Sequence, residues 1–463
     1  VKALFVTNGF PPRGRWGTEF YTWQLVGGLV ARGIDVVLLH PVRDGSRTRY
    51  TLERMHAAVP PVDSKGNGPE VPVYLLHNAG DPSKSFAASY QDAEVDKIFD
   101  EVLQAEKPDL VHFTYLLWGL SVGLPSVAKR RGIPTVVTLT DYGLLCHRGQ
   151  MYDWQLKRCE GPHPADVCAR CVREPSKFDD PPATVWLRRA LVKGAALVGG
   201  LGRVVVAADL EAREACVRRA LEDVDQFIAP TAVFARIFSA WGIPEERLTE
   251  LVYSLDHKPY EIARPEPARP EATSPIRFGF MGQFTPHKGL GTLVEATRIM
   301  QARLPESVEP WRVHLYGRPA GGRHRLFAER VLAGDLGPRL VVEEPFEPHE
   351  APQILARLNA VVVPSEWDEN APLTILQARA AGVPVIGSDM EGITEVVDPP
   401  LHGLIFRAGD AHALADAMRE VILGRIGRLP GTRMPHELDE HLDAVLTVYQ
   451  RVYSGDTPSS SPS

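Results

Sequence analysis

A chain of 463 residues exceeds what one ordinary core organises, so two α/β domains are expected, and a hydrophobic content of 44% can fill both. The formal net charge is −7 with basic residues scattered, which argues against nucleic acid as a partner; an anionic ligand would need a local positive pocket. No run reaches the roughly 18 apolar residues of a membrane span.

The N-terminal VKALFVTNGF has a short apolar run, lacks a small-residue cleavage pattern, and reads as a first strand rather than a signal. A cytoplasmic address is therefore expected, with weak peripheral membrane contact left open. KALFVT is the strand, residues 8–18 are a turn-rich loop with Pro11, Pro12, Gly14 and Gly17, and residues 19–32 carry Leu25, Val26, Leu29 and Val30 at helical spacing. Gly33 stands where a glycine ends a helix, and IDVVLLH is the next strand. VPVYLL, DLVHFT, PTVVTL and QFIA read as further strands with helices between most of them. Near-continuous apolar strands separated by helices indicate a parallel sheet buried on both faces. The nearest approach to a membrane span, residues 190–208, is broken by Lys193, Arg203 and several glycines and reads as a buried helix and a strand.

Apolar periodicity stops over residues 254–275, where Pro, Glu and Arg dominate; this is the expected interdomain linker between an N-terminal domain, 1–253, and a C-terminal domain, 276–435. The second series opens with IRFGFMG, a loop over 283–289 and the helix LGTLVEATRIMQARL, and continues through the strands RVHLYG, LVVEEPF, AVVVPS and PVIGSD. A last helix is expected over 436–453 and a disordered polar tail over 454–463. Two doubly wound Rossmann-like domains would face each other across a cleft, where ligands sit beyond the carboxyl ends of the strands.

The segment PSEWDENAPLTILQARAAGVPVIGSD, residues 364–389, carries the most information. Pro372 suits the first turn of a helix, where no N–H bond is needed. The amides of Asn370, Ala371 and Leu373 could then face an anion with the helix dipole behind them. Glu369 lies at the start of that helix and Gln377 two turns along, about 12 Å away, so the pair could hold opposite ends of an elongated ligand. The plainer alternative is an N-capping Glu369 and a solvent-facing Gln377. Lys288, in TPHKG just before a helix, could offer an ammonium to an anion held at that helix start; otherwise it is a surface lysine. His112, in an apolar strand, reads as a satisfied core residue.

Cysteine placement is the second signal. Cys146, Cys159, Cys168 and Cys171 are separated by 12, 8 and 2 residues, and the closing Cys-x-x-Cys is a metal-ligand spacing. A structural zinc site is expected in the 146–171 loop, with an iron–sulfur cluster, free thiols or a disulfide as alternatives. Cys216 stands alone and reads as a core residue.

Residues 364–389 resemble the signature of retaining family-4 glycosyltransferases, in which a Glu, seven residues and a second Glu flank a helix start. PPRGRWGTEFYTWQLVGGLVARGIDV is similar to that family's glycine loop and first helix, FGFMGQFTPHKGLGTLVEA to its phosphate-binding loop, and IAPTAVFARIF with WGIPEERL to its lead-in to the linker. The resemblance implies a GT-B fold and transfer of a sugar from a nucleotide-sugar donor, of UDP or GDP type, to a glycosyl acceptor with retained configuration and no catalytic divalent metal. It further implies that Glu369 contacts the donor sugar, that Lys288 and Gly17 accommodate the diphosphate, and that Asn370, Ala371 and Leu373 lie at the helix start. Gln377 stands where the second Glu binds the ribose, and Gln283 where many members have an arginine. Thr140, before Asp141, takes the place of a histidine beside the reacting sugar, so Thr140 and Asp141 are candidates for the acceptor side of the catalytic centre. Trp16 replaces a glycine neighbour of Gly17, and Glu391 replaces the first glycine of a Gly-Gly-Ile stretch. A nucleotide-sugar-binding protein without turnover and a sugar-nucleotide epimerase are the alternative functions.

Overall fold

The structure is a computed structural model that describes residues 1–11, 13–14, 17–61, 67–79, 85–174, 204–263, 275–304, 310–319, 322–333, 337–429 and 435–454. Trp16, the 190–203 part of the long apolar run, the 264–274 part of the expected linker and the tail after 454 lie outside the described residues.

Two sheets form. The first runs β1 (Lys2–Val6), β2 (Asp35–Val42), β3 (Thr51–Ala58), β4 (Glu70–His77), β5 (Leu110–Phe113), β6 (Thr135–Thr138), β7 (Gln226–Ala229) and β8 (Leu248–Glu250). Its spatial order is β3-β4-β2-β1-β5-β6-β7-β8, parallel throughout except for the antiparallel pair β3–β4. The second has β9 (Ile276–Met281), β10 (Trp311–Tyr316), β11 (Leu340–Glu343), β12 (Ala360–Val363), β13 (Val385–Ser388) and β14 (Gly403–Phe406), in the order β11-β10-β9-β12-β13-β14 and all parallel. Strands β5, β6, β7, β12 and β13 are buried at every residue, as strands covered by helices on both faces must be.

Strand order reverses between β1 and β5 in the first sheet and between β9 and β12 in the second. At such a switch point the connections leave in opposite directions and open a crevice at the carboxyl ends of the strands. The helix Gly17–Ala31 follows β1, and Gly33, at φ +80°, turns the chain into β2. Helix Leu373–Ala380 follows β12 across the crevice.

One hydrophobic cluster joins the two units, with Phe20, Tyr21 and Tyr253 on one side and Ala371, Ile375 and Leu376 on the other. The last helix, Leu438–Ser454, leaves the second unit and packs on the first. A Cβ on Gly28 would lie 2.5 Å from the Leu442 Cδ1 methyl, so a larger residue here would have to push that side chain aside. Tyr449 Oη lies 2.7 Å from His112 Nδ1, and Thr138 Oγ1 lies 2.7 Å from His112 Nε2. Burial pushes the imidazole down to about 3, so His112 is the neutral, fully partnered core residue expected. Cys216 packs at the margin of the first unit's core, half-buried on helix Ala207–Glu222 and 3.6 Å from Gln91 Oε1.

Candidate functional site

Gly289 adopts φ +71°, and a Cβ there would come 1.7 Å from the Pro364 carbonyl oxygen. That contact folds the loop after β9 onto the end of β12, so that Lys288 Nζ donates to both Glu369 oxygens, at 2.7 and 2.9 Å. Glu369 is 4% exposed in its side chain and also accepts from the Ser365 hydroxyl four residues earlier. The ammonium sits 5.2 Å over the Trp367 ring, which also meets the rings of Tyr142 and His287, the latter held neutral by burial beside that charge. Gly392 is buried against the same loop: a Cβ would lie 1.7 Å from the Glu369 carbonyl oxygen.

Pro372 caps the helix rather than filling its first position, which is Leu373. The preceding Ala371 is fully buried at φ +44°, a left-handed conformation that costs a non-glycine residue about 1–3 kcal/mol. Asn370 does more than lend an amide. Its side-chain Nδ2 donates to the Leu139 carbonyl and the Tyr253 hydroxyl, both at 2.9 Å, tying the loop to the end of the first sheet.

An open cleft lies beside this loop, bounded by Gly17 and Phe20 from the first unit and Gly282, Arg318, Leu373 and Gln377 from the second. Gly17 starts its helix 4.0 Å from the Leu373 methyl, measured from where a Cβ would sit, so two helix N-termini converge here. Gln377 is buried and hydrogen-bonded to Tyr260 on the short helix Lys258–Ile262. Of the expected site residues, the cleft thus gathers Gly17, Leu373 and Gln377, while Lys288 and Glu369 form a pair beside it. Gln283 is half-buried and does not line the cleft; Arg318, after β10, supplies the cation there.

On the facing side, Thr140 donates its hydroxyl to the Thr114 carbonyl at 2.8 Å, joining the ends of β5 and β6. Burial pushes the Asp141 carboxyl up to about 6, against the pull of the Gly143 N–H, the Tyr115 hydroxyl and Arg213. Four polar atoms around the loop are sealed from solvent without a hydrogen-bond partner: Tyr142 Oη, Trp367 Nε1, Asp368 Oδ1 and Asn370 Oδ1. Glu391 turns its carboxylate away from the cleft, to Arg158 at 3.2 Å and to Arg236, so its departure from glycine serves the contact between units.

The metal expectation is corrected. Cys146, Cys159, Cys168 and Cys171 lie close enough to influence one another's ionisation, yet all are free thiols. Among the described residues no group of three or more His, Cys, Asp or Glu side chains is arranged to hold a metal ion. Burial raises the Cys146, Cys159 and Cys168 thiols, and the Cys168 sulfur points at the His163 carbonyl, 3.5 Å away, rather than at a shared centre. Neither zinc nor an iron–sulfur cluster is supported by this donor geometry. Among the described residues no helix is long and apolar enough to cross a membrane.

Sequence reasoning missed Tyr253, Tyr260, Arg318 and Ser365. Only Ser365, four residues before Glu369, carried a local signal; the others arrive from distant segments.

Residues 264–438 match the description "Glycosyl transferases group 1", and residues 17–252 match "Glycosyl transferase 4-like domain". D-inositol 3-phosphate glycosyltransferase of Nocardia farcinica is 30% identical over 247 residues, 52% of this chain and 53% of that protein. The putative colanic acid biosynthesis glycosyltransferase WcaL of Escherichia coli is 29% identical over 185 residues, 38% of this chain and 42% of its own. The chain spans about half the length of the curated relatives it matches. In fold it is similar to sucrose-phosphate synthase from Thermosynechococcus elongatus, with TM-score 0.61 at 16% identity over 98% of this chain and 100% of that one. Anabaena Alr3699/HepE in complex with UDP-glucose gives 0.57 at 14% identity, covering 98% of both chains. The paired parallel sheets are those of the GT-B fold, and with the 4-like domain spanning half its length the chain belongs to the glycosyl transferase 4-like family.

Proposed function

We propose that the protein transfers a glycosyl group from a nucleoside-diphosphate sugar to a hydroxyl acceptor with retained anomeric configuration. The observation that carries this reading is the Lys288–Glu369 pair at the carboxyl edge of the second sheet, next to a cleft where two helix N-termini meet. The nucleotide occupies that cleft, with its ribose toward Gln377 and its diphosphate toward Gly17, Arg318 and Lys288. Charge builds on the diphosphate as the glycosidic bond breaks, and a fixed ammonium with oriented amides stabilises it without a divalent metal. Glu369 and the buried polar atoms around it orient the sugar. HepE was solved with UDP and with UDP-glucose, which supports a uridine donor.

The acceptor enters on the side of Thr140 and Asp141. Its reading as a phosphorylated polyol rests on the inositol 3-phosphate relatives and on two exposed cations, Arg13 and Arg43, that carry no ion pair among the described residues. Arg43 lies close enough to influence Tyr115, the hydroxyl bonded to Asp141.

The test incubates the protein with UDP- and GDP-sugars, with and without inositol phosphates, and follows diphosphate release and product anomer by NMR. A glycoside with retained configuration is expected. Clean inversion rejects the mechanism, a changed sugar without acceptor indicates an epimerase, and saturable binding with no turnover indicates a binding protein.

A further inference from the structure

The 146–174 segment does more than pack on its own unit. After Cys146 the chain makes a small hairpin: Tyr152 bridges Arg158, Asp153 N–H donates to the Lys157 carbonyl, and Cys159 N–H donates to the Met151 carbonyl. Its base is closed by Arg148, which donates to the carbonyls of Cys171 and Glu174, and the chain just before it is held by Arg213, which donates to the carbonyls of Gly143 and Leu144. Its free edge crosses to the second unit and meets both loops of the donor site.

Tyr152 Oη donates to Glu366 Oε2 at 3.1 Å, and Thr292, in the first turn of the helix after Lys288, donates to Glu366 Oε1 at 2.7 Å. The Tyr152 ring stands edge-on to His287, 6.1 Å between centroids. Arg158 Nε donates to Asp368 Oδ2 at 2.7 Å, while its terminal nitrogen reaches Glu391. Asp368 is 7% exposed in its side chain and immediately precedes Glu369. One hairpin therefore contacts the residue immediately before Lys288 and the residue immediately before Glu369.

We propose that this hairpin is a latch between the two units, in which Arg158 acts as a positioning residue that sets the Glu369 loop through Asp368. Arginine is required by the geometry: one guanidinium serves two carboxylates on different segments through separate nitrogens, which a lysine ammonium on a flexible stem does not reproduce. Glu391 has a second cation in Arg236, so its link between units survives without Arg158. Asp368 has no other ion pair among the described residues, so its orientation depends on the hairpin.

The proposal rests on the glycosyl-transfer reading for its kinetic arm and is independent of it for the other. Arg158→Ala, Arg158→Lys, Asp368→Asn and the control Arg236→Ala are compared in the full chain. A small misplacement of a reacting group costs up to about 100-fold, so Arg158→Ala should lower kcat about tenfold, Arg158→Lys less, and Asp368→Asn by a similar factor. Combining Arg158→Ala with Asp368→Asn should add little, because both act through one contact. Affinity for UDP, by calorimetry, should stay within about twofold, since the cleft residues are untouched. Arg236→Ala should leave kcat within about twofold as well.

Hydrogen exchange at residues 365–371 gives a readout free of turnover: faster in Arg158→Ala, unchanged in Arg236→Ala. Unchanged exchange in Arg158→Ala overturns the latch whatever the activity. Equal kinetic loss in Arg236→Ala overturns the specific role of Asp368 in favour of general docking. A wild-type protein without turnover, whose exchange still responds to Arg158→Ala, overturns the transfer reading and keeps the latch.

Discussion

Replacing Lys288 by methionine keeps much of the apolar stem and removes the ammonium 2.7 and 2.9 Å from the Glu369 oxygens. Glu369 is 4% exposed in its side chain, and the carboxylate left behind retains the Ser365 hydroxyl. Breaking a buried pair from one side costs about 3–5 kcal/mol. Lys288 is 26% exposed, so water already screens part of the interaction; about 2–3 kcal/mol of lost stability is expected. For a domain of 150–250 residues this lowers Tm by roughly 4–12 °C. The rate should fall more steeply, by roughly 100- to 1,000-fold, because the ammonium also meets charge that develops only in the transition state. The informative comparison is the double variant Lys288→Met with Glu369→Gln. It should recover much of the stability, because no unpaired charge stays buried, and none of the rate. Thermal unfolding and initial rates of diphosphate release measure both. Stability effects that add within about 0.5 kcal/mol, or a Lys288→Met rate within about threefold of wild type, would refute the coupling and the placement.

Gln377→Glu should tighten nucleoside-diphosphate binding about fivefold, since a carboxylate accepts from both ribose hydroxyls and charge-assisted bonds are stronger; weaker binding by calorimetry would show that Gln377 reads another group. Gly392→Ala should cost about 1–3 kcal/mol in thermal unfolding and abolish most turnover, because its methyl would lie 1.7 Å from the Glu369 carbonyl oxygen. Asp141 titrates near 6 when folded and lower when unfolded, so its contribution to stability is fully present at low pH and lost as pH rises through about 6. Asp141→Asn should therefore raise stability at pH 7.5 by about 1–3 kcal/mol with no gain near pH 4, and transfer by the wild type should fall as pH drops through about 6. An equal gain at both pH values would remove the assignment.

The two sheets were legible because burial on both faces demands unbroken apolar runs, and QFIA and AVVV are such runs. Strand β3, TLERMHAA, was not, since an edge strand exposing Arg54 and His56 carries no such pattern. Strands β8 and β14 are three and four residues long, too short for periodicity to speak. Around the candidate site, Lys288 in one segment and Glu369 and Gln377 in another were singled out because a polar or charged side chain coincides with a helix start in each. Arg158 and Tyr152 could not be: they lie 210 and 214 residues from their partners Asp368 and Glu366, and nothing local marks such a contact. The cysteine spacing was a true signal of proximity and a misleading one of ligation, because spacing fixes which thiols can meet but not where their sulfurs point. Gln283 lies in the loop where it was expected, and Arg318, from the end of β10, lines the cleft with no local mark in the sequence.

The chain passes between the two units twice, once after Tyr253 and once before Leu438, and these passages run side by side. Ser254 donates its hydroxyl to the His436 carbonyl at 2.7 Å, and His257 Nδ1 lies 2.9 Å from Glu437. Two adjacent tethers behave like a strap hinge: they leave a swing that widens the mouth of the crevice and oppose sliding or twisting of one half over the other. Each return stroke would then bring the same residues into the same register, so that an active centre divided between separate halves can be reassembled at every turnover.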